Sequence, residues 1–188
     1  QYVITISSSG GGSVTTPGEG QFSYAYDTVQ NIQAANDPNY HFVNWTGTAV
    51  DNGKVANPSS ASTTVTVHDD YTLVANFTID THTLSITSAH GTVTKNPDKG
   101  NYDHNETVTL TAVPDTGYSF VEWGGDATGS NNPVNVTMDA DKFVTANYSA
   151  NTYPLTITAE NGSVTRDPNK VNYTYNEYVT LTAVPDAG

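Results

Sequence analysis

The sequence contains no cysteine, which excludes disulfides, thiolate metal sites and a cysteine nucleophile. Basic residues are also scarce, six against nineteen acidic residues, and the formal net charge is −13. A chain this acidic repels the phosphates of nucleic acids and of anionic lipid surfaces, so we expect neither as a partner. No apolar stretch approaches the roughly 20 residues of a membrane-spanning helix, so we expect no membrane insertion.

The common catalytic motifs are missing as well, because there is no Gly-x-Ser-x-Gly elbow, phosphate-binding loop or dinucleotide fingerprint. The five histidines are scattered without the spacing of zinc ligands. The acidic residues cluster at predicted turns, at Asp69, Asp70, Asp98, Asp126, Asp139 and Asp141. We therefore predict a protein that is not an enzyme and has no cofactor, with weak calcium binding at a loop or junction as an open alternative.

Internal repetition is what the sequence has in abundance. Residues 84–117 and 155–188 align without a gap, about 71 residues apart, and roughly three-fifths of their positions are identical. The octapeptide VTLTAVPD recurs intact at 108–115 and at 179–186. This degree of identity indicates duplication of one structural module.

A more divergent copy precedes these two, since YHFVNW at 40–45 matches YSFVEW at 118–123. The chain thus divides into repeat 1 (residues 1–80), repeat 2 (residues 81–150) and repeat 3 (residues 151–188), the last being the first half of a repeat. Repeat 1 also carries an insertion, mostly in residues 47–62, which is rich in Gly, Asn, Pro and Ser and predicts a longer loop.

Short alternating runs of apolar residues and threonines, bounded by turn residues, predict strands. In repeat 2 the predicted strands are 83–87, 92–95, 107–113, 118–123, 134–138 and 142–148. No helical periodicity is long enough to compete with them. The fold class that follows is all-β, in tandem small antiparallel β-modules, sandwich-like or β-grasp-like, with about six strands per repeat.

These strings resemble the divergent InlB B-repeat family of bacterial extracellular repeat domains. The segments that carry the resemblance are 84–87, 91–94, 108–117, 118–123, 125–128, 132–138 and 145–148. Repeat 1 departs from the pattern by its insertion and by having ANDP at 35–38 in place of the Val-Pro-Asp turn. The resemblance implies an extracellular all-β spacer, found in tandem in surface proteins, adhesins and secreted polysaccharide-active enzymes, with no shared catalytic or cofactor residues.

Six aromatic residues are candidates for contact with a glycan or with a neighbouring module: Trp45, Trp123, Tyr24, Tyr26, Tyr173 and Tyr175. The two tryptophans occupy equivalent repeat positions, which favours a role in the core over a sugar-stacking platform. The tyrosines alternate along predicted strands, which ordinary β-propensity and cross-strand pairing also explain.

The function predicted from these observations is a non-catalytic extracellular structural repeat, a spacer, stalk or fibre-forming module of a cell-surface or secreted adhesin-like protein. Its expected partners are neighbouring repeats of the same or another chain, joined by strand addition where a strand edge is free. The alternative is a carbohydrate-binding accessory module of a secreted polysaccharide-active enzyme, with an extracellular glycan as partner. Because the sequence has no leader at Gln1, we expect any signal peptide to lie upstream or to have been removed.

Overall fold

Alternation of apolar and polar side chains explains the strands that the chain forms. In the strand Tyr71–Ile79 every second residue from Tyr71 to Phe77 is buried, whereas Thr72 and Thr78 are exposed. Successive side chains of a strand point to opposite faces, so such a segment offers one face to a core and the other to solvent. The all-β prediction is confirmed.

The computed structural model describes residues 1–188, which form two compact units, residues 1–81 and residues 82–188. The elements of the first unit are β1 (Tyr2–Ser8), β2 (Gly12–Thr16), β3 (Gly20–Tyr24), β4 (Thr28–Asn36), β5 (Tyr40–Thr46), α1 (Thr48–Asp51), β6 (Ser62–Val67) and β7 (Tyr71–Ile79). The short strand β8 (Thr81–His82) lies at the boundary.

The second unit contains the rest of repeat 2 and all of repeat 3. The strands of repeat 2 are β9 (Leu84–Ser88), β10 (Gly91–Asn96), β11 (Tyr102–Asp103), β12 (Thr107–Pro114), β13 (Tyr118–Gly125), β14 (Val134–Thr137) and β15 (Lys142–Ala150). Those of repeat 3 are β16 (Thr152–Pro154), β17 (Gly162–Asp167), β18 (Asn172–Thr174) and β19 (Thr180–Pro185). All six strands predicted for repeat 2 are present, and the two-residue strands β8 and β11 are additional.

Two sheets enclose the core of the first unit. One has the strand order β3-β1-β7-β5 and the other β2-β4-β6. Ile4 and Leu73 from the first sheet and Ile32 and Val65 from the second are fully buried in one cluster. A core shared by the inner faces of two sheets is the sandwich-like alternative of the prediction.

Repeat 2 has the same plan, with sheets β13-β15-β9 and β10-β12-β14 and with Val108, Leu110, Met138 and Val144 fully buried between them. In both repeats the first long strand pairs in parallel with the last, β1 with β7 and β9 with β15. The other pairings in these sheets are antiparallel, as predicted. The parallel pair places the first and last long strands of each repeat side by side, so that the chain enters at one end of the pair and leaves at the other.

The insertion of repeat 1 is more ordered than the predicted loop. It contains the helical turn α1, and Val55 makes an isolated β-bridge to Val65. Ala49 and Val55 are buried in the core of this unit. The predicted longer loop thus contains one ordered helical turn, because a few apolar residues inside the polar insertion pack into the core.

Candidate module-contact site

The two tryptophans belong to the cores and offer no face to a glycan. Trp45 is 1% exposed and Trp123 is 2% exposed. The indole Nε1–H of Trp45 donates a hydrogen bond to Ser60 O at 3.0 Å, and that of Trp123 donates to Asn131 O at 2.8 Å. Each indole thus fastens the loop that follows its strand, and the structure contradicts both tryptophans as surface contact residues. A large apolar ring gains more from the core than from water.

A β-bulge explains how these tryptophans reach the core. Phe120 and Trp123 are three residues apart, so a regular strand would point them to opposite faces. The register of β13 against β15 shifts at Val121, which is left exposed, and both rings then pack inside with centroids 4.9 Å apart. Strand β5 has the same irregularity at Val43, which is also exposed.

Tyr24 and Tyr173 are also poor surface contacts. Tyr173 is buried, its hydroxyl donates to Pro168 O at 3.0 Å, and it accepts the Lys170 backbone N–H at 3.3 Å. Tyr102 makes the equivalent contacts in repeat 2. Tyr24 is half-buried, and this burial raises the pKa of its hydroxyl. Tyr173 and Tyr102 are thus fixed by packing and by backbone hydrogen bonds of their own repeats, and Tyr24 packs against the core of the first unit.

Tyr26 is the exposed member of the candidate set, at 63%. It lies beyond the end of β3, in the turn before β4. Its ring stacks on His68 with centroids 4.9 Å apart and an interplanar angle of 18°. His68 Nε2 is 2.9 Å from Asp27 Oδ1, so the ring on which Tyr26 rests is itself held in place.

Tyr175 contacts the neighbouring repeat. Its ring lies against the backbone of Gly117 so closely that a Cβ at Gly117 would be 2.1 Å from Tyr175 Cγ. The ring of Tyr118 stands edge-on to it, with centroids 6.4 Å apart. Gly117 has φ +84°, a conformation that favours glycine, and the absent side chain makes room for the aromatic ring. Of the six candidates, Tyr175 is the one that the structure places between repeats 2 and 3.

Hydrogen bonds through the linker residue Asn151 complete this junction. The Asn151 N–H donates to Gly117 O at 2.8 Å, and the Tyr175 N–H donates to Asn151 O at 2.9 Å. The Ser119 hydroxyl donates to Asn151 Oδ1 at 2.6 Å. Gly117, Tyr118 and Asn151 were not among the predicted contacts, although the Gly that ends the Val-Pro-Asp-Thr-Gly turn was a signal that a close approach occurs there.

An ion pair fixes the turn that carries the contact residue. In repeat 2, Glu106 Oε1 is 2.6 Å from Lys99 Nζ, and Glu106 Oε2 accepts the Asp103 N–H at 3.0 Å. The hydrogen bond from Lys99 and the one from the Asp103 backbone lower the pKa of Glu106, and the Glu106 carboxylate raises the pKa of Lys99. Glu177 and Lys170 repeat the arrangement next to Tyr175.

The acidic residues at turns are engaged as hydrogen-bond acceptors. Asp141 Oδ1 accepts the Thr83 N–H at 2.7 Å, which lowers the pKa of Asp141, and Asp126 Oδ2 accepts the Phe143 N–H at 2.7 Å. Asp139 pairs with Lys142 at 2.5 Å. No three His, Asp or Glu side chains converge as a metal site. Weak calcium binding stays a prediction.

A groove of about 350 Å³ lies on repeat 3, and Tyr153, Tyr173 and Tyr175 are among its lining residues. Leu155 and Val179 also line it. Two of the corresponding residues of repeat 2, Tyr102 and Val108, are fully buried in its core. The groove is thus the inner surface of a half repeat.

Comparison with known proteins agrees with this architecture. The chain contains no helix that is long and apolar enough to cross a membrane. None of the curated proteins compared with this chain matches it. One family, the divergent InlB B-repeat domain, matches three consecutive segments, residues 2–81, 82–152 and 153–188. These matches cover all of the chain except Gln1, and the protein therefore belongs to the divergent InlB B-repeat family.

Proposed function

We propose that this chain is a non-catalytic extracellular structural repeat that serves as a spacer or stalk segment of a cell-surface or secreted adhesin-like protein. Membership of a tandem repeat family supports this role. The observation that carries it is the junction at Asn151, where two hydrogen bonds join Asn151 to Gly117 and Ser119 of repeat 2, and the Tyr175 ring of repeat 3 rests on Gly117. A stalk needs such junctions, since a flexible linker would let successive repeats collapse on each other.

Surface display of the chain tests the spacer role. The chain is placed between a membrane anchor and a small binding tip, and capture of a ligand held above a layer of grafted polymer is measured. We expect more capture than with a Gly/Ser linker of equal length, because a flexible coil samples many short end-to-end distances, whereas a spacer with fixed junctions does not. Equal capture by the two linkers would contradict the proposal.

Strand addition between repeats is the partner interaction that we propose. In repeat 2, β14 covers the outer edge of β12, and the Asn132 side chain extends the ladder by bonding Ala112 N and O at 2.9 and 2.8 Å. The equivalent strand β19 pairs only with β17. Its other edge therefore offers unpaired backbone groups to a strand with the sequence of β14.

A labelled peptide with the sequence of residues 131–138 tests this interaction by fluorescence anisotropy against the full chain. The edge of β12 is already occupied, so binding reports on β19. We expect binding that weakens when the peptide carries N132A, because the two bonds to the strand edge are lost. Binding that is identical for a scrambled peptide would contradict strand addition.

Glycan binding is the second candidate, favoured by the exposed Tyr153 in the tyrosine-lined groove of repeat 3. Titration of the full chain with a panel of soluble polysaccharides separates the two functions. A stalk leaves the tyrosine resonances unchanged. A carbohydrate-binding module shifts those of Tyr153 and Tyr175, and Y153S abolishes the shift.

A further inference from the structure

Tyr26 occupies in repeat 1 the position that Tyr175 occupies in repeat 3. Each lies two residues after a tyrosine of a cross-strand pair. Tyr26 follows Tyr24, which faces Tyr2, and Tyr175 follows Tyr173, which faces Tyr153. Each precedes a residue with positive φ, Asp27 at 67° and Asn176 at 60°. The two turns are therefore equivalent parts of the repeat, and their aromatic residues stand at the same end of it.

The surroundings of the two rings differ. Tyr175 is half-buried because it rests on Gly117 of the repeat before it. Tyr26 is 63% exposed. Its ring is held from one side by His68 and lies 6.1 Å from the ring of Tyr2. An aromatic side chain that is ordered by its own repeat and exposed at the junction end is a preformed contact surface.

We propose that Tyr26 is a docking residue for the Asp-Thr-Gly-Tyr turn of another repeat of this kind, placed ahead of repeat 1, and that it contacts this turn as Tyr175 contacts Gly117 and Tyr118. The inference rests on the proposed function, since it assumes that repeats join end to end. The glycine supplies the space for the ring, and the following tyrosine supplies the edge-on contact seen at 6.4 Å in the existing junction.

The spacing of the chain permits this junction. In the existing one, Asn151 is followed by Thr152 and Tyr153. If a second copy of residues 82–151 is joined directly to Gln1, Asn151 is followed by Gln1 and Tyr2, and Tyr2 is the equivalent of Tyr153. The added Asn151 then lies two residues before Tyr2, as Asn151 lies two residues before Tyr153 in the existing junction. It can therefore bond the turn of its own copy in the same way.

Nitration of tyrosines by tetranitromethane, followed by mass spectrometry of peptides, tests the docking in this extended chain and in the original chain. We expect the nitration rate of Tyr26 to fall in the extended chain to that of Tyr175. The exposed Tyr178 serves as the reactive standard and the buried Tyr102 as the protected one. An unchanged rate for Tyr26, with Tyr102 protected in both copies, would overturn the proposal.

A matched pair of variants in the added copy separates the contact from backbone strain. G117A places a methyl group where the Tyr26 ring should lie, so we expect the nitration of Tyr26 to return. G129A imposes the same kind of strain, at φ +89°, but its Cβ would meet nothing within 4 Å, so Tyr26 should stay protected. Recovery in both variants would contradict docking on Gly117.

The same experiment distinguishes failure of docking from failure of the stalk. If Tyr26 stays reactive while Tyr175 is protected, docking at Tyr26 is wrong and the fixed junction between repeats 2 and 3 stands. If Tyr175 reacts as fast as Tyr178, the junction itself is not fixed, and the proposed function and this inference are both wrong.

Discussion

Repeats 2 and 3 share the octapeptide VTLTAVPD, and the same residues are core in one and surface in the other. Leu110 is 0% exposed, whereas its equivalent Leu181 is 50% exposed. Both octapeptides nevertheless pair with the preceding strand in the same register, Leu110 opposite Lys95 and Leu181 opposite Arg166. Local pairing is thus encoded within the hairpin, while burial depends on the strands that come later in a repeat.

The segment 155–159 makes the same point for a strand. Its equivalent in repeat 2 is β9, which pairs in parallel with β15. Residues 155–159 correspond closely in sequence but form no strand, and repeat 3 provides no counterpart of β15 within this chain. A parallel edge needs its distant partner, because its own hydrogen bonds run between strands and not within the segment.

Completing repeat 3 is the change that we expect to have the largest effect on this difference between the two repeats. We extend the chain after Gly188, the equivalent of Gly117, with a copy of residues 118–151. Segment 155–159 should then pair with the added copy of β15, and its amide hydrogen exchange should slow markedly. Mass spectrometry of peptides from this segment measures the effect. Fast exchange there, while the added segment is itself protected, would show that the two repeats differ for another reason.

Truncating the shared leucine to alanine compares the packing of the two repeats at a single position. We expect L110A to lower the free energy of unfolding by about 2–5 kcal/mol, because it leaves a cavity in a closed core. L181A should change it by no more than about 0.5 kcal/mol, as at a surface position. Urea unfolding followed by the fluorescence of Trp123 measures the first, and amide exchange across β19 measures the second. Equal costs would mean that the packing of the two repeats does not differ.

Removing a buried hydroxyl tests a feature that the two repeats share. Tyr102 and Tyr173 each donate to a proline carbonyl and accept a lysine N–H. We expect Y102F and Y173F to cost about 1 kcal/mol each, the usual net value of such hydrogen bonds. Exchange of the Lys99 and Lys170 amides, compared by NMR, reports the two effects. A cost confined to Tyr102 would show that this part of repeat 3 also depends on a closed core.

A smaller effect concerns pH. The Lys99 ammonium and the Asp103 N–H lower the pKa of Glu106 in the folded state, so this carboxylate stabilises the fold above the unfolded glutamate pKa of about 4.3. The contribution is lost as pH falls through the lower folded pKa. E106Q should therefore be less stable than the parent at pH 7 and equal to it in acid. Thermal unfolding of both proteins at several pH values from 7 into acid measures this difference in stability. A difference that is the same at every pH would contradict the ion pair as its cause.

The strands of repeat 2 were predictable because alternation and turn residues mark both ends of each. The bulge at Val121 was not predictable. The Phe-x-x-Trp spacing breaks the two-residue period of a strand, and only the position of the core shows that both rings lie on the same side. The parallel pairing of β9 with β15 was also beyond the sequence, because the two strands lie more than 50 residues apart. At the junction, Tyr175 was a candidate by its position, while Gly117 and Asn151 were missed because most of their contacts there run through backbone groups, the Asn151 Oδ1 bond to Ser119 being the exception.

The parallel pairing of the first and last strands has a mechanical meaning. In repeat 2 the chain enters at Leu84 and leaves after β15, and the two strands run side by side through five paired positions from Lys142–Leu84 to Ala146–Ser88. Tension applied to the two ends pulls parallel neighbours in opposite directions along their length. The load then acts as shear, which all the hydrogen bonds of the ladder carry at the same time. Under a load perpendicular to the strands, in contrast, the bonds would break one after another. We expect a repeat tied in this way to resist stretching along the line between its ends, which the proposed stalk role requires.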